Sequence, residues 1–218
     1  MDRIIEVLSR PDYLAKVLTH IELSALAILL AVLIAIPVAL AVSRTDLGAF
    51  IAINVGNVGR AVPSLAILAF ALPLLGLGFR PSLLALTVLA IPPILINAST
   101  GIRQVEPRVI DAAKGMGLSG FQVLTSIQLP IAAPVIFAGI RTGAVQVVAS
   151  ATLATFIGGG GLGDLIVEGF QRGDNLIMLA GAFSVAILAI LTELGFGGLE
   201  RAFTPKGLKI AQKRRAKK

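Results

Sequence analysis

Long apolar stretches alternate with short polar segments along this 218-residue chain. The stretches that qualify as candidate membrane spans are 23–42, 51–77, 83–99, 131–157 and 176–192. Because an α-helix rises about 1.5 Å per residue, the first of them alone is long enough to cross a hydrocarbon core of about 30 Å. The pattern therefore predicts an all-α, polytopic membrane protein with about five transmembrane helices.

Several of these stretches are interrupted. Pro92-Pro93 predicts a break in the third, Arg141 lies inside the fourth, and Glu193 follows the fifth. Interrupted helices are tolerated in a membrane where neighbouring helices or a water-filled cavity satisfy the freed backbone groups. The pattern therefore favours a transporter over a simple anchor. Residues 1–19 mix charges with apolar positions, which predicts an amphipathic segment lying along the membrane surface.

The composition supports the membrane assignment. Only 14% of the residues are charged and 56% are hydrophobic, whereas about a quarter of a typical soluble protein is charged. The net charge of +7 comes from the C-terminal tail, 200–218, where eight Lys or Arg begin at Arg201. A basic tail behind a membrane core makes nucleic-acid binding a poor explanation.

The distribution of Lys and Arg predicts an orientation. Inner segments hold twelve of these residues if the C-terminus is inside, in 43–49, 98–130 and 200–218. Outer segments then hold five, in 1–22, 78–82 and 158–175. Because cytoplasmic loops carry the excess of positive charge, the N-terminus is predicted outside and the C-terminus inside.

The polar segment between the third and fourth stretches carries its own helix signals. Pro107 favours a helix start, and Gly117 can end that helix in a left-handed conformation. Ser119 can cap a second short helix over 120–128, before Pro130 opens the fourth span. Two short helices joined by a glycine bend predict a compact knob on the cytoplasmic face.

This segment resembles the cytoplasmic coupling loop of bacterial ABC importer permeases of the type I fold. The residues that carry the resemblance, within a coupling loop at 101–130, are Asp111, Ala112, Ala113, Gly117, Ile127, Leu129 and Pro130. The family usually has Glu at the position of Asp111, so the charge is retained on a shorter side chain. The resemblance extends over residues 20–199, the expected transmembrane domain.

Four further stretches look like the subgroup that imports glycine betaine, carnitine, choline and related osmoprotectants. They are 61–78, 96–102, 137–143 and 154–166. Methionine importers share the five-span core and are the nearest alternative. The resemblance implies a bacterial inner-membrane location, a second permease subunit (identical or related), two ATPase subunits and an external solute-binding protein. It also implies that ATP and Mg are bound by the ATPases and that this chain, embedded in lipid, binds no cofactor.

Other polar residues are candidates for the translocation path or a gate. They are Ser64, Asn97, Arg141, Gly158, Gly161 and Asp164. We expect Arg141 to pair with Glu193 or a backbone carbonyl rather than with solute. Ser64 and Asn97 either line a path or form interhelical hydrogen bonds. Arg60 is expected at the cytoplasmic interface, where its side chain can reach water.

The glycines at 158–161 do not form a nucleotide site, because the Gly-Lys-Ser/Thr ending of a phosphate-binding loop is missing. A tight turn or gate element at the outer mouth, or a plain flexible loop, is expected there. His20 has no nearby His or Cys, so a metal site is not predicted. No catalytic constellation stands out. An ion-driven secondary transporter and a membrane enzyme remain the alternatives of a different class.

Overall fold

A computed structural model of the protein describes residues 6–204. Its elements, in chain order, are α1 (Tyr13–Val42), α2 (Asp46–Ala61), α3 (Ser64–Leu75), α4 (Phe79–Arg103), α5 (Pro107–Gly115), α6 (Gly120–Val123), a π-helical turn (Leu124–Gln128), α7 (Leu129–Ser150), a 3-10 helix (Ala151–Ile157), α8 (Gly163–Arg172) and α9 (Asn175–Phe203). Across 6–204 there is no strand, and the predicted all-α class is confirmed. Residues 1–5 of the predicted amphipathic segment and 205–218 of the predicted tail lie outside this range.

The predicted number of about five spans is confirmed. Within the described range, four helices are long and apolar enough to cross a membrane: α1, α4, the continuous run Gly120–Ile157, and α9. Helices α2 and α3 meet at 93°, and they give a fifth span if the bent pair is counted as one. The first span begins at Tyr13, so residues 13–19 are continuous with it rather than separate.

Helix α4 lies at the centre of the bundle and packs against α1, α2, α3 and α7, while α9 packs against α7 and α8. The buried face of α1 repeats a residue at every fourth position: Leu23, Ala27, Ala31, Ala35 and Ala39. Positions four apart lie on one face of a helix. Small side chains on that face let two helix backbones approach closely. Close packing matters in a membrane because lipid tails are apolar, so the hydrophobic effect does not drive helices together.

Two span boundaries differ from prediction. The break expected at Pro92-Pro93 was wrong, because α4 runs through both prolines without interruption. Neighbours on several sides hold this central helix, and such packing compensates for the missing backbone donors. Helix α9 does not end near Glu193 but continues for ten more residues, to Phe203. The reason is an ion-pair cluster described below.

The long helices connect two ends of the molecule. At one end the N–H of Gly78, just before α4, donates to the carbonyl of Ile157 at 2.7 Å. At the other end Arg103, at the close of α4, donates to the Asp46 carboxylate at the start of α2. The coupling loop (residues 101–130) lies at this second end. The glycine-rich loop (residues 158–163) lies at the first.

Candidate functional site

The coupling loop is ordered by local hydrogen bonds. Helix α5 ends at Gly115, and Gly117 has a φ of +85°, as the left-handed ending requires. The N–H of Gly117 donates to Lys114 O at 2.9 Å, and that of Leu118 donates to Ala113 O at 3.2 Å. These two bonds form a Schellman motif, which satisfies carbonyls that the helix end would otherwise leave free.

The second half of the loop begins with a capping box. The Ser119 hydroxyl accepts from the Gln122 N–H at 3.3 Å, and the Gln122 side chain accepts from the Ser119 N–H at 2.8 Å. The helix that follows does not stop before Pro130. A π-helical turn joins it to α7 instead, so the predicted separate second helix merges with the fourth span.

Most of the loop surface is open. Asp111 and Ala112 are exposed, whereas the neighbouring Ala113 is buried. Met116 and Phe121 are each 73% exposed. They give the open side of the loop two large apolar side chains that a partner could contact. Ile127 and Leu129 are half-buried and hold the loop against the bundle.

A cleft of about 610 Å³ separates the loop from the end of α1. Its polar lining includes Arg44, just beyond α1, and Lys114 on α5. Leu40, Ile102 and Phe121 contribute apolar walls. The loop therefore stands beside the bundle on one side while its outer surface stays free.

The glycine-rich loop at the other end is packed tightly. A Cβ built on Gly159 would lie 2.2 Å from the Ser82 hydroxyl oxygen. One built on Gly163 would lie 2.1 Å from the backbone carbonyl oxygen of Thr152. Gly158 and Gly161, both predicted gate positions, have φ values of +75° and +101°. This geometry makes the loop a closely fitted turn rather than a plain flexible one.

His20 ties the first span to this loop. The N–H of Leu162 donates to His20 Nδ1 at 3.3 Å, and His20 Nε2 lies 2.9 Å from Val148 O. Since Nδ1 accepts, the ring proton belongs on Nε2, which then donates to that carbonyl. The ring is fully buried. From the sequence, His20 was weighed only as a metal ligand, and this structural role was missed.

Asp164, the other predicted gate residue, joins a polar cluster at the same end. Thr155 donates to one of its carboxylate oxygens, and Lys16 Nζ lies 3.3 Å from the other. Arg10 pairs with Glu168 on the next turn of α8 at 3.0 Å. The start of the chain is therefore linked to α8 by two ion pairs.

Arg141 joins α7 to α9. Its Nε lies 3.2 Å from Glu193 Oε1 and its Nη1 lies 3.0 Å from Glu200 Oε2. The predicted pair with Glu193 is confirmed, and Glu200, seven residues further on, completes the cluster. Pairing of both acids with the half-buried Arg141 lowers the cost of placing Glu193 within a span, so α9 can extend past it. Charges inside a membrane are tolerated when they pair with one another.

The remaining candidates are distributed along the α2–α4 side. The Asn97 amide donates to Pro93 O within its own helix at 2.8 Å, and among residues 6–204 it forms no hydrogen bond to another helix. Ser64 is the half-buried first residue of α3. Arg60 is exposed in the last turn of α2, at the bend before α3. Gly59 beside it packs on Pro92, halfway along α4, so the expected interfacial position of Arg60 was wrong.

An all-helical bundle with a bent span, a charge cluster between two spans and a projecting loop defines a multi-pass membrane protein of transporter architecture. Residues 27–205 match the family described as the binding-protein-dependent transport system inner membrane component, and the chain belongs to that family.

Its relatives include permease proteins of known transport systems. The chain is 41% identical to the glycine betaine/carnitine/choline transport system permease protein OpuCB of Bacillus subtilis, over 90% of this chain and 91% of the relative. It is 40% identical to the carnitine transport permease protein OpuCB of Listeria monocytogenes, over 92% of each. The osmoprotectant import permease protein OsmW of Salmonella typhimurium is 32% identical, over 96% and 100%.

Among solved structures, inward-facing conformations of the MetNI methionine ABC transporter contain a chain of the same fold. The TM-score is 0.78 at 21% identity, covering 94% of this chain and 100% of that one. The predicted type I importer core is therefore confirmed at the level of fold.

Proposed function

We propose that this chain is the membrane-spanning permease subunit of an ATP-driven importer for quaternary-ammonium osmoprotectants. The observation that carries the proposal is the relation to permeases of such systems at 40% and 41% identity along nearly the whole chain. The solute class comes from those relatives, whose names include glycine betaine, carnitine and choline. The methionine transporter is similar at only 21% identity, so the osmoprotectant class is favoured.

The coupling loop is the surface on which we infer that the ATPase docks. Asp111, Ala112 and Gly117 lie on the projecting loop, and Met116 supplies an exposed apolar contact. The Schellman motif and the capping box give this surface a defined shape without burying it. Small side chains allow a partner to approach closely, while Ile127, Leu129 and Pro130 attach the loop to α7.

This proposal sets the orientation. The coupling loop faces the cytoplasm, together with the C-terminal end of α9, and the glycine-rich loop faces outward beside the start of α1. The excess of Lys and Arg in segments at the coupling-loop end supports this arrangement. ATP and Mg belong to the two ATPase subunits, and an external binding protein delivers the solute to a pair of permease subunits. Closure of the ATPase pair draws the two coupling loops together and opens the path outward.

A charged, bulky side chain on the docking surface tests the proposal. Ala112→Arg adds a guanidinium to an exposed position of the coupling loop. We expect co-purification of the cognate ATPase to fall by about tenfold, equivalent to about 1.4 kcal/mol of docking free energy. Uptake of radiolabelled glycine betaine into proteoliposomes should fall with it.

The matched control is Phe170→Arg, because Phe170 is 79% exposed at the opposite end of the molecule. ATPase co-purification should stay at the wild-type level in this variant. If ATP-dependent uptake persists in wild-type protein stripped of the ATPase, or if Ala112→Arg binds it normally, the proposal is wrong.

A further inference from the structure

Helix α2 carries a row of polar side chains that the rest of the described chain does not cover. Asn54, Asn57 and Arg60 follow one another at intervals of three residues, and all three are exposed. Residues three apart lie close together on a helix surface. Ala52 and Gly56 on α2 are buried, and Arg60, four residues after Gly56, lies beside that buried face, while Asn54 and Asn57 lie further round the helix. The row therefore runs along the exposed surface of α2 and reaches the edge of its contact with α4 at Arg60.

The charged end of this row lies deep in the membrane-spanning part of the molecule. A Cβ on Gly59 would lie 3.1 Å from Pro92 Cγ, which fixes the level of the neighbouring Arg60. Pro92 is about 20 Å from the start of α4 and about 16 Å from its end, at about 1.5 Å per residue. Arg60 is thus level with the middle of a span.

No acid among residues 6–204 forms an ion pair with Arg60. That sets it apart from Arg141, whose charge is matched by two glutamates. Ionisable residues at such depth face a bundle interior or a water-filled cavity, because exposure of a charge to lipid tails is costly. Helix α2 lies at the edge of the bundle, so a cavity on this face needs the second permease subunit as its other wall.

The bend after Arg60 adds positive potential at the same level. Helix α3 starts at Ser64, directly after the 93° turn, and no side chain caps its N-terminus. The free N–H groups at a helix start carry a partial positive charge. Transporters use interrupted helices of this kind to hold anionic parts of a substrate near the bilayer midplane.

We propose that Arg60 binds the carboxylate of the transported solute at mid-depth in the translocation path, with Asn57 and the start of α3 as polar neighbours. The inference rests on the proposed function and names which end of the solute this chain recognises. A guanidinium offers a planar pair of N–H donors that matches a carboxylate. It repels the quaternary ammonium at the other end, so the solute passes with a fixed direction.

The scarcity of Trp and Tyr also favours recognition of the solute through its carboxylate. An aromatic cage is the usual means of binding a quaternary ammonium, but the chain has no Trp and a single Tyr. That Tyr13 lies at the glycine-rich-loop end and hydrogen-bonds to Ser184 at 2.9 Å. Arg60 supplies recognition of the anionic group instead. Choline, which has the ammonium but no carboxylate, gains nothing from Arg60.

The test compares these solutes in the assembled transporter. Wild type, Arg60→Gln and Arg60→Lys are reconstituted with ATPase and binding protein, and uptake of glycine betaine, carnitine and choline is measured. We expect Arg60→Gln to lose about tenfold to hundredfold of glycine betaine and carnitine uptake, the value of a hydrogen bond to a charged group. Choline uptake should be unchanged or raised. Arg60→Lys should retain part of the carboxylate-solute uptake.

Val58→Gln is the matched control, because Val58 is exposed on the same helix outside the polar row. It should transport all three solutes as wild type does. ATP hydrolysis stimulated by the binding protein reports assembly, and it should persist in every variant.

Equal losses for all three solutes, or loss of stimulated ATP hydrolysis in Arg60→Gln, would assign Arg60 to subunit contact and overturn the inference. Wild-type uptake of choline without the two carboxylate solutes would also overturn it. If the wild-type complex takes up none of the three solutes in the presence of ATP, the proposed function itself is wrong.

Discussion

The coupling loop and the glycine-rich loop both contain several glycines, but the structural reason for glycine differs between them. At the glycine-rich loop, Gly159 and Gly163 leave no room for a Cβ beside Ser82 and Thr152. At the coupling loop, a Cβ on Gly115 would meet nothing within 4 Å. One loop is fixed by tertiary packing, and the other is shaped by local hydrogen bonds and left open. The comparison separates a region that must fit its own fold from one available to a partner.

The largest effect is expected from Gly163→Ala. The new methyl group would meet the backbone carbonyl of Thr152, which cannot move without distorting the 3-10 helix. We expect a loss of about 3 kcal/mol in stability, at the upper end for overpacking, seen as a lower thermal unfolding midpoint of the purified complex. Gly115→Ala is the control and should leave the midpoint unchanged or slightly raised. Equal unfolding midpoints in the two variants would show that the glycine-rich loop is no more tightly packed than the coupling loop.

A smaller effect is expected from His20→Phe. This change removes the acceptor of the Leu162 N–H and the donor to Val148 O in a fully buried site. Leaving the buried Leu162 N–H without an acceptor costs about 2 kcal/mol. The Val148 carbonyl oxygen has a second lone pair and loses less, so the unfolding midpoint should fall by less than in Gly163→Ala. His20→Asn keeps an acceptor near the Nδ1 position and should lose less. If the unfolding midpoint of His20→Phe equals that of the wild type, the two hydrogen bonds of His20 do not stabilise the fold as assigned.

The smallest effect on stability is expected from Ser119→Ala. Loss of the cap should cost about 1 kcal/mol, confined to the coupling loop. Amide hydrogen exchange should therefore quicken over 120–123 while the global unfolding midpoint stays constant. Ser126→Ala, at an exposed position without a capping bond, is the control. If Ser119→Ala lowers the global midpoint as much as His20→Phe does, the coupling loop is not locally stabilised.

The sequence predicted the coupling loop in detail because its signals are local. Gly117 and Ser119 each satisfy backbone groups within a few residues, so their spacing alone indicates the left-handed ending and the cap. The glycine-rich loop was predicted only as a turn. Its anchor, His20, is 142 residues from Leu162, and no short pattern indicates that hydrogen bond.

The span boundaries failed where tertiary contacts override local rules. Pro92-Pro93 predicts a break, but α4 is held by neighbours on several sides. Glu193 predicts the end of a span, but Arg141 on the next helix neutralises it. The i, i+3 repeat of Asn54, Asn57 and Arg60 is a signal that was available in the sequence. Its meaning depends on which side of α2 faces α4, which only the structure gives.

The continuous run Gly120–Ile157 has a mechanical consequence. Its 38 residues pass from the capped start of the second half of the coupling loop through the π-helical turn to the glycine-rich loop without a linker. At about 1.5 Å per residue this is a lever of roughly 57 Å. If the ATPase docks on the coupling loop as proposed, a tilt imposed at that end displaces the other end of this run sideways, beside the glycine-rich loop.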